Sequence, residues 1–390
     1  MDIGIPKETR PGEHRVALTP SGVKVLTQRG HRVWVETGAG DAAGHPDADY
    51  QSAGATVAFA RAETFARGAL IAAVAGADAR EYALLHPGQV IFAFWHLPAA
   101  RPEDLKALLD SGVSAVGLEA IEDERGDAPV LTSMSEIAGG LSVTIGAGLL
   151  LNAFGGKGIL LGGAPGVPPA HLVVLGAGVA GRSAARAALG MGAHVTLLDT
   201  RVEPLRAAAA ELGRPLTTML ASPPNVAKAV AFADLVLGAV AHHGRRSPVV
   251  VTREQLRAMR PRTVVLDLSI DMGGCFETSR PTQFPNATYE VDGILHFCVP
   301  NLTSTAARSA TLALTNAAMP YLEAVAAHGL ETAFATLPAL RRGVYLRDGH
   351  IARLSLARTC GSTPDATTPR SWSGPWSAAR PSCATSRSRT

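Results

Sequence analysis

Three residues combine types that could perform proton chemistry on a small anion. Arg15 lies between the apolar stretch DIGIP and the helix signal TPSG, His96 ends QVIFAFW, and Asp271 ends VVLDLSI. In open parallel sheets ligands sit beyond the carboxyl ends of strands, so polar residues placed there can reach them. A guanidinium can pair with a carboxylate, an imidazole can take up and release a proton near neutral pH, and a carboxylate can polarise a neighbouring water or amine. Oxidising an amino or hydroxy acid by hydride transfer needs those three groups. Singly each has an ordinary reading: a solvated loop arginine, a hydrogen-bonded strand-end histidine, an aspartate that sets the turn before Met-Gly-Gly. Their joint fit to one reaction favours function. The other histidines, including His242 and His243, lack this setting and are expected in loops or on the surface.

A partner for such a reaction is written into HLVVLGAGVAGRSAARAALGMGAHVTLLD. Gly176, Gly178 and Gly181 form GxGxxG directly after a strand and open a helix. Lacking side chains, they permit a tight turn, approach of a pyrophosphate to the helix N-terminus, and close packing of helix on sheet. In a chain with 40 glycines the bare motif is weak, and a plain strand-turn-helix is the alternative. Asp199 strengthens it: this carboxylate ends the next strand, where it can hold a ribose 2′-hydroxyl. The unit predicts dinucleotide binding. Asp199 would repel a 2′-phosphate, which favours NAD over NADP, while Arg201 close by weighs the other way.

These residues need a scaffold, and the chain alternates strand and helix signals. DIGIP, HRVWVE, ALIAAV, QVIFAFW and VSAVGLEAI read as strands, separated by helical patterns such as TPSGVKVLTQRG, with Thr19 as cap, Pro20 in the first turn and Gly30 as stop. A second series begins at PGVPPAHLVVL and continues through HVTLLD, LVLGAV and TVVLDLSI. Such alternation means βαβ units and parallel sheets. At 390 residues the chain exceeds what one core normally holds, so two domains are expected. MSEIAGGLSVTIGAGLLLNAF reads as a bridging helix. From about Thr305 one long helical stretch, with Pro320 as an expected kink, is predicted to cross back to the first domain.

Composition narrows the class. Hydrophobic content of 47% with 5% aromatics suits an α/β protein rich in Val, Ile, Leu and Ala. The formal charge of +3 resides entirely in residues 361–390, which hold four Arg and one Asp, so nothing calls for a nucleic-acid partner. That tail has no Leu, Ile, Val, Met, Phe or Tyr and cannot build a core; disorder or an out-of-frame end are both open readings. Cys275, Cys298, Cys360 and Cys383 form no CxxC pair, which predicts neither a metal site nor a disulfide framework. The opening MDIGIPKETR lacks the apolar run of a secretory signal. The uncharged stretch between Glu136 and Lys157 contains six glycines with Ser, Thr and Asn, and is expected to be a buried helix rather than a membrane span.

The chain resembles the alanine dehydrogenase family, which shares its fold with the NAD-binding subunit of nicotinamide nucleotide transhydrogenase. The resemblance extends to about residue 350 and rests on GIPKETRPGEHRVALTP, GHRVWVETGAG, FAFWHLPA, MSEIAG, GGAPGVPPAHLVVLGAGVAG, ADLVLGAV, LDLSIDMGGCFETSRPT and ALTNAAMPY. It implies an α/β enzyme of two Rossmann-like domains with parallel sheets, the NAD-binding domain (131–304) inserted into a discontinuous substrate domain (1–130 and 305–360), followed by the tail 361–390. By motif match Arg15 would pair with the substrate carboxylate, His96 would be the acid/base, and Asp271 would orient water or ammonia. Ser135, Val179, Ala180, Asp199, Val240, Ala241, Leu268, Ile270, Arg280, Asn301 and Leu302 fall in stretches resembling the family's NAD contacts, though any apolar one could be packing. The implied reaction is reversible NAD-dependent deamination of L-alanine to pyruvate and ammonia, by a cytoplasmic homohexamer.

One departure matters. Where the family carries a substrate-binding lysine after a strand, this chain has Ala75. Losing one of two cations should weaken carboxylate binding by about 1.5–3 kcal/mol. Either another residue compensates, the substrate is a different amino or imino acid, or activity is low. A further alternative is an NAD-binding module without catalysis, or one that couples as the transhydrogenase subunit does.

Overall fold

The computed structural model describes residues 1–240, 246–353 and 356. The expectations for Ala241, His242, His243, Cys360, Cys383 and the tail lie outside the described residues. Six strands come first: β1 (Asp2–Ile5), β2 (Arg32–Glu36), β3 (Thr56–Ala58), β4 (Leu70–Ala75), β5 (Val90–Phe94) and β6 (Ser114–Gly117). Seven follow: β7 (His171–Leu175), β8 (His194–Asp199), β9 (Thr217–Leu220), β10 (Leu235–Gly238), β11 (Val264–Asp267), β12 (Thr288–Val291) and β13 (Ile294–Phe297). Then come β14 (Val344–Arg347) and β15 (His350–Ile351). The chain divides into two compact units, one holding Met1–Arg10, His14–Leu131 and the return from Thr311, the other Pro11–Glu13 and Thr132–Ala310.

The first unit is an eight-stranded sheet in the order β15-β14-β6-β5-β4-β1-β2-β3, parallel through β1 to β6 and antiparallel at β14 and β15. Leu70 to Val74 are all buried, as expected for a central parallel strand covered on both faces. The helix Pro20–Gln28 starts where its cap dictates: the Thr19 hydroxyl accepts the Gly22 N–H, and Pro20 needs no partner in the first turn. Ahead of it, the Val16 and Thr19 N–H groups donate to the hydroxyls of Thr311 (3.2 Å) and Thr315 (2.9 Å) on the long return helix. That helix, Ala307–Thr336, corrects one expectation. Its break falls at Gly329 (φ 75°, ψ 165°), and Pro320 stays within the helix. Proline forfeits one hydrogen bond yet keeps a helical φ, whereas the Gly329 conformation leaves helical space altogether.

The second unit is a seven-stranded sheet in the order β12-β13-β11-β10-β7-β8-β9, parallel except for β12. The order in which strands are added reverses between the parallel neighbours β7 and β10, which opens the crevice where such sheets take nucleotides. The apolar helix is Pro129–Leu149, beginning five residues before the expected Met134. Val143 and Leu149 are buried in this unit's core, with Leu141, Ile145 and Ala147 packed against it. At the amino ends of the central strands β7 and β10, Asp234 accepts the His171 N–H (3.0 Å) and the Lys157 ammonium (3.0 Å). Burial alone would raise the Asp234 carboxyl, but those donors hold it below its ordinary value; the same burial pulls Lys157 down.

Candidate active site

In the first unit the candidate residues lie where successive parallel strands end. Arg15 sits in the long loop after β1 and is 4% exposed. Its guanidinium carbon is 5.9 Å from the centroid of the Phe94 ring. Phe94, the last residue of β5, in turn stacks with the His96 imidazole at 6.3 Å and 20° between planes. One aromatic ring therefore neighbours both the buried cation and the exposed imidazole. His96 adopts the left-handed conformation (φ 48°, ψ 34°), which is uncommon for a residue with a side chain. Two hydrogen bonds to one carboxylate hold that turn: His96 N–H donates to Glu119 Oε1 (2.7 Å) and Trp95 N–H to Glu119 Oε2 (3.2 Å). Glu119 follows β6 and was not anticipated from the sequence, although the same strand-end rule points to it.

A pocket of about 240 Å³ opens beside His96, lined also by Arg10, Asp78, Tyr82, Trp95 and Asp104. Its carboxylates are held below their ordinary values, Asp78 by hydrogen bonding to Arg80 and Asp104 by hydrogen bonding to Arg101. Burial, then the Asp104 charge, pushes the Tyr82 phenol up to about 12, so it remains a neutral donor. Arg10 Nη2 donates to Gly76 O (2.8 Å), which brings a cation to the residue after Ala75. At Ala75 itself the backbone is engaged: Glu8 accepts the Val74 N–H (2.6 Å) and the Ala75 N–H (3.3 Å).

In the second unit the three glycines have separable roles. Gly176 has φ 103°, and a Cβ there would lie 2.4 Å from Ala239 O; one on Gly181 would lie 1.9 Å from Gly176 O. The fold itself requires both. A Cβ on Gly178 would meet nothing within 4 Å. Gly178 caps the helix Val179–Gly190 with no side chain over the helix end, which leaves the amide groups there open to an anion. Asp199 ends β8; one oxygen accepts the Ala177 N–H (2.9 Å) and the other the Arg201 N–H (3.0 Å). A bare helix N-terminus beside a carboxylate fits a dinucleotide with a free ribose 2′-hydroxyl.

The loop after β11 is built on Asp267, 2% exposed, another residue the sequence did not single out. Its carboxylate accepts the N–H groups of Ser269 (2.9 Å) and Cys275 (2.8 Å) and the Ser279 hydroxyl (2.6 Å). Ser269 Oγ accepts the Val240 N–H (3.0 Å), tying the ends of β10 and β11 together. Asp271 projects from this loop and accepts the Asn301 N–H (3.1 Å) after β13. Asn301, also left-handed at φ 54°, donates from its amide to Glu13. Glycine loop, Asp199 and Val240 thus lie at the carboxyl ends of β7, β8 and β10, and Asp271 pairs with Asn301. Ile270 and Leu302 are each 5% exposed, so they would meet a ligand through backbone more than side chain. Val179, Ala180, Leu268 and Ser135 are half-buried, and Arg280 stacks over Tyr289 at 4.3 Å.

Comparison with known proteins identifies the family. A family model described as alanine dehydrogenase/PNT, N-terminal domain, matches residues 4–138, and its C-terminal counterpart matches residues 142–353. An alanine dehydrogenase of Mycobacterium tuberculosis (strain ATCC 25618 / H37Rv) is 42% identical over 361 residues, 93% of this chain and 97% of that protein. One from Bacillus subtilis (strain 168) is 41% identical over 362 residues, covering 93% and 95%. Among solved structures, an L-alanine dehydrogenase matches with a TM-score of 0.88 at 39% identity, covering 93% of this chain and 99% of that one. A transhydrogenase from Sinorhizobium meliloti matches with a TM-score of 0.78 at 28% identity, covering 90% and 100%. With both domain models and relatives of this similarity spanning nearly the whole described chain, the protein belongs to the alanine dehydrogenase/PNT family.

Proposed function

We propose that this protein is an NAD-dependent amino-acid dehydrogenase that interconverts L-alanine and water with pyruvate and ammonia. The observation that carries the reading is a buried Arg15 beside the Phe94–His96 pair in a chain that also holds an open GxGxxG helix terminus with Asp199. Bound NAD supplies the acceptor for the α-hydride. Arg15 holds the substrate carboxylate, and its burial strengthens that pairing. Loss of hydride from the neutral amine leaves the substrate as an iminium ion, which water attacks. His96 takes one proton from the attacking water, returns it to the amine, and receives the remaining hydroxyl proton as the carbinolamine collapses to the ketone and ammonia leaves. Asp271 orients the water or ammonia. Gly176, Gly178, Gly181 and Asp199 would hold the cofactor, with Ser135, Val179, Ala180, Val240, Ala241, Leu268, Ile270, Arg280, Asn301 and Leu302 around it.

In this reading the first unit is the substrate domain and the second the NAD domain, working as a cytoplasmic homohexamer. The test is a panel of small L-amino acids with NAD at alkaline pH, followed by absorbance of NADH. Turnover of alanine is expected; no reduction with any member would reject the reading. A second reading, the same chemistry on another amino acid, is favoured by Ala75 and the pocket at Arg10, and the same panel decides it: a larger or acidic substrate would then outrun alanine.

A further inference from the structure

The imidazole that carries the proton stands on a backbone conformation that does not maintain itself. His96 has φ 48°, a region disfavoured for a residue bearing a Cβ, and such strain persists where the surroundings over-determine it. Both N–H groups of that turn, those of Trp95 and His96, point at one carboxylate, Glu119. Glu119 is itself fixed from the side. A Cβ on Gly117 would lie 2.2 Å from Tyr345 Cε2 and 3.2 Å from Glu119 Oε1, so ring and carboxylate crowd one point that glycine alone leaves open. Tyr345 comes from β14 of the return segment and is 4% exposed. Burial, then the Glu119 charge, pushes its phenol above the ordinary value, which keeps it neutral beside the carboxylate. Arg353 covers the outer face of that ring at 5.4 Å and donates to Ala120 O (3.3 Å), closing the cluster behind Glu119.

We propose that Glu119 is a positioning residue for the dehydrogenase reaction: its carboxylate, braced by Tyr345, clamps the Trp95 and His96 N–H groups and so aims the His96 imidazole at the reacting atoms. This rests on the function proposed above. Two oxygens are needed because two N–H groups converge, so a side chain of equal volume with one acceptor oxygen cannot replace it. Released from one bond, the turn relaxes toward negative φ and carries the imidazole off its line. Misplacement by about 1 Å costs on the order of 10²-fold in rate. Alanine binding, which Arg15 would provide, is untouched.

The experiment compares Glu119→Gln and Glu119→Ala with the unaltered enzyme, reading kcat, KM for alanine, NADH affinity and melting temperature. The clamp predicts kcat lowered about 10-fold in Glu119→Gln and about 10²-fold in Glu119→Ala, with KM and NADH affinity within about threefold. A packing role predicts that isosteric glutamine works as well as glutamate, and unaltered kcat in Glu119→Gln would overturn the proposal. A crystal structure of Glu119→Gln gives a readout free of turnover. The expected result is a His96 turn that has left the left-handed region, and an unmoved turn would overturn the clamp. Should the unaltered protein oxidise no amino acid, the function fails, while this structure still tests the clamp.

Discussion

At the scale of single residues, the proposed function assigns substrate binding to Arg15 and proton transfer to His96, and their substitutions should then separate in kinetics. Arg15→Gln removes a charge-assisted hydrogen bond of about 1.5–3 kcal/mol, so kcat/KM for alanine should fall by one to two orders of magnitude with NADH affinity unchanged. His96→Ala should abolish turnover and leave NADH affinity intact; a loss of NADH affinity in a protein that turns over no amino acid would favour a binding module over an enzyme. Both residues stood out in the sequence because each lies in a segment that follows an apolar strand-like run, Arg15 in the loop after β1 and His96 just past β5. Glu119 was not, since a glutamate after an apolar run looks like an ordinary turn until two N–H groups are seen converging on it. Ala75 was legible as an anomaly, but Arg10 at the neighbouring carbonyl is a tertiary fact.

Elements impose a different kind of requirement. The glycine loop follows β7 at the point where the strand order reverses, and its glycines answer to different masters. Gly181→Ala puts a methyl against Gly176 O and should cost about 1–3 kcal/mol of stability, measured by urea unfolding. The Cβ added by Gly178→Ala would meet nothing within 4 Å, so stability should hold while NADH affinity drops about tenfold, about 1.4 kcal/mol. Equal destabilisation by both would mean that Gly178 serves the fold rather than the ligand. The motif alone cannot distinguish these positions, because spacing records which residues lack a side chain and not what would have collided with one. The long return helix teaches a similar lesson: proline was the local signal for a bend, yet the break is at Gly329.

For the whole molecule, stability should respond unit by unit, since each has its own sheet and core. Asp234, in the second unit, is held below its ordinary value by the His171 N–H and Lys157. Its contribution is therefore complete above the ordinary carboxylate range and is lost as pH falls through the depressed value. Asp234→Asn should cost about 1–3 kcal/mol near neutral pH, and the gap to the unaltered protein should narrow below about pH 4. NADH at a hundredfold excess over its Kd should stabilise the same unit by about 2.7 kcal/mol. In calorimetry, NADH and Asp234→Asn should therefore move one transition in opposite directions; movement of different transitions would place the cofactor elsewhere.

What the sequence determined by itself was local and periodic: strands as apolar runs, a helix start at Thr19, a glycine turn between β7 and a helix with Asp199 ending the next strand, and the polar residues Arg15, His96 and Asp271 in the segments that follow strands. These follow from backbone geometry and side-chain patterning over a few residues, so neighbours in sequence suffice to specify them. The tertiary structure decided how those residues are held: the Glu119 clamp and its Tyr345 brace 226 positions later, Asp267 tying the ends of β10 and β11, and Thr311 and Thr315 anchoring the loop that bears Arg15. Hydrogen bonds between segments far apart in sequence leave no periodic trace, because their geometry exists only once both sheets have formed.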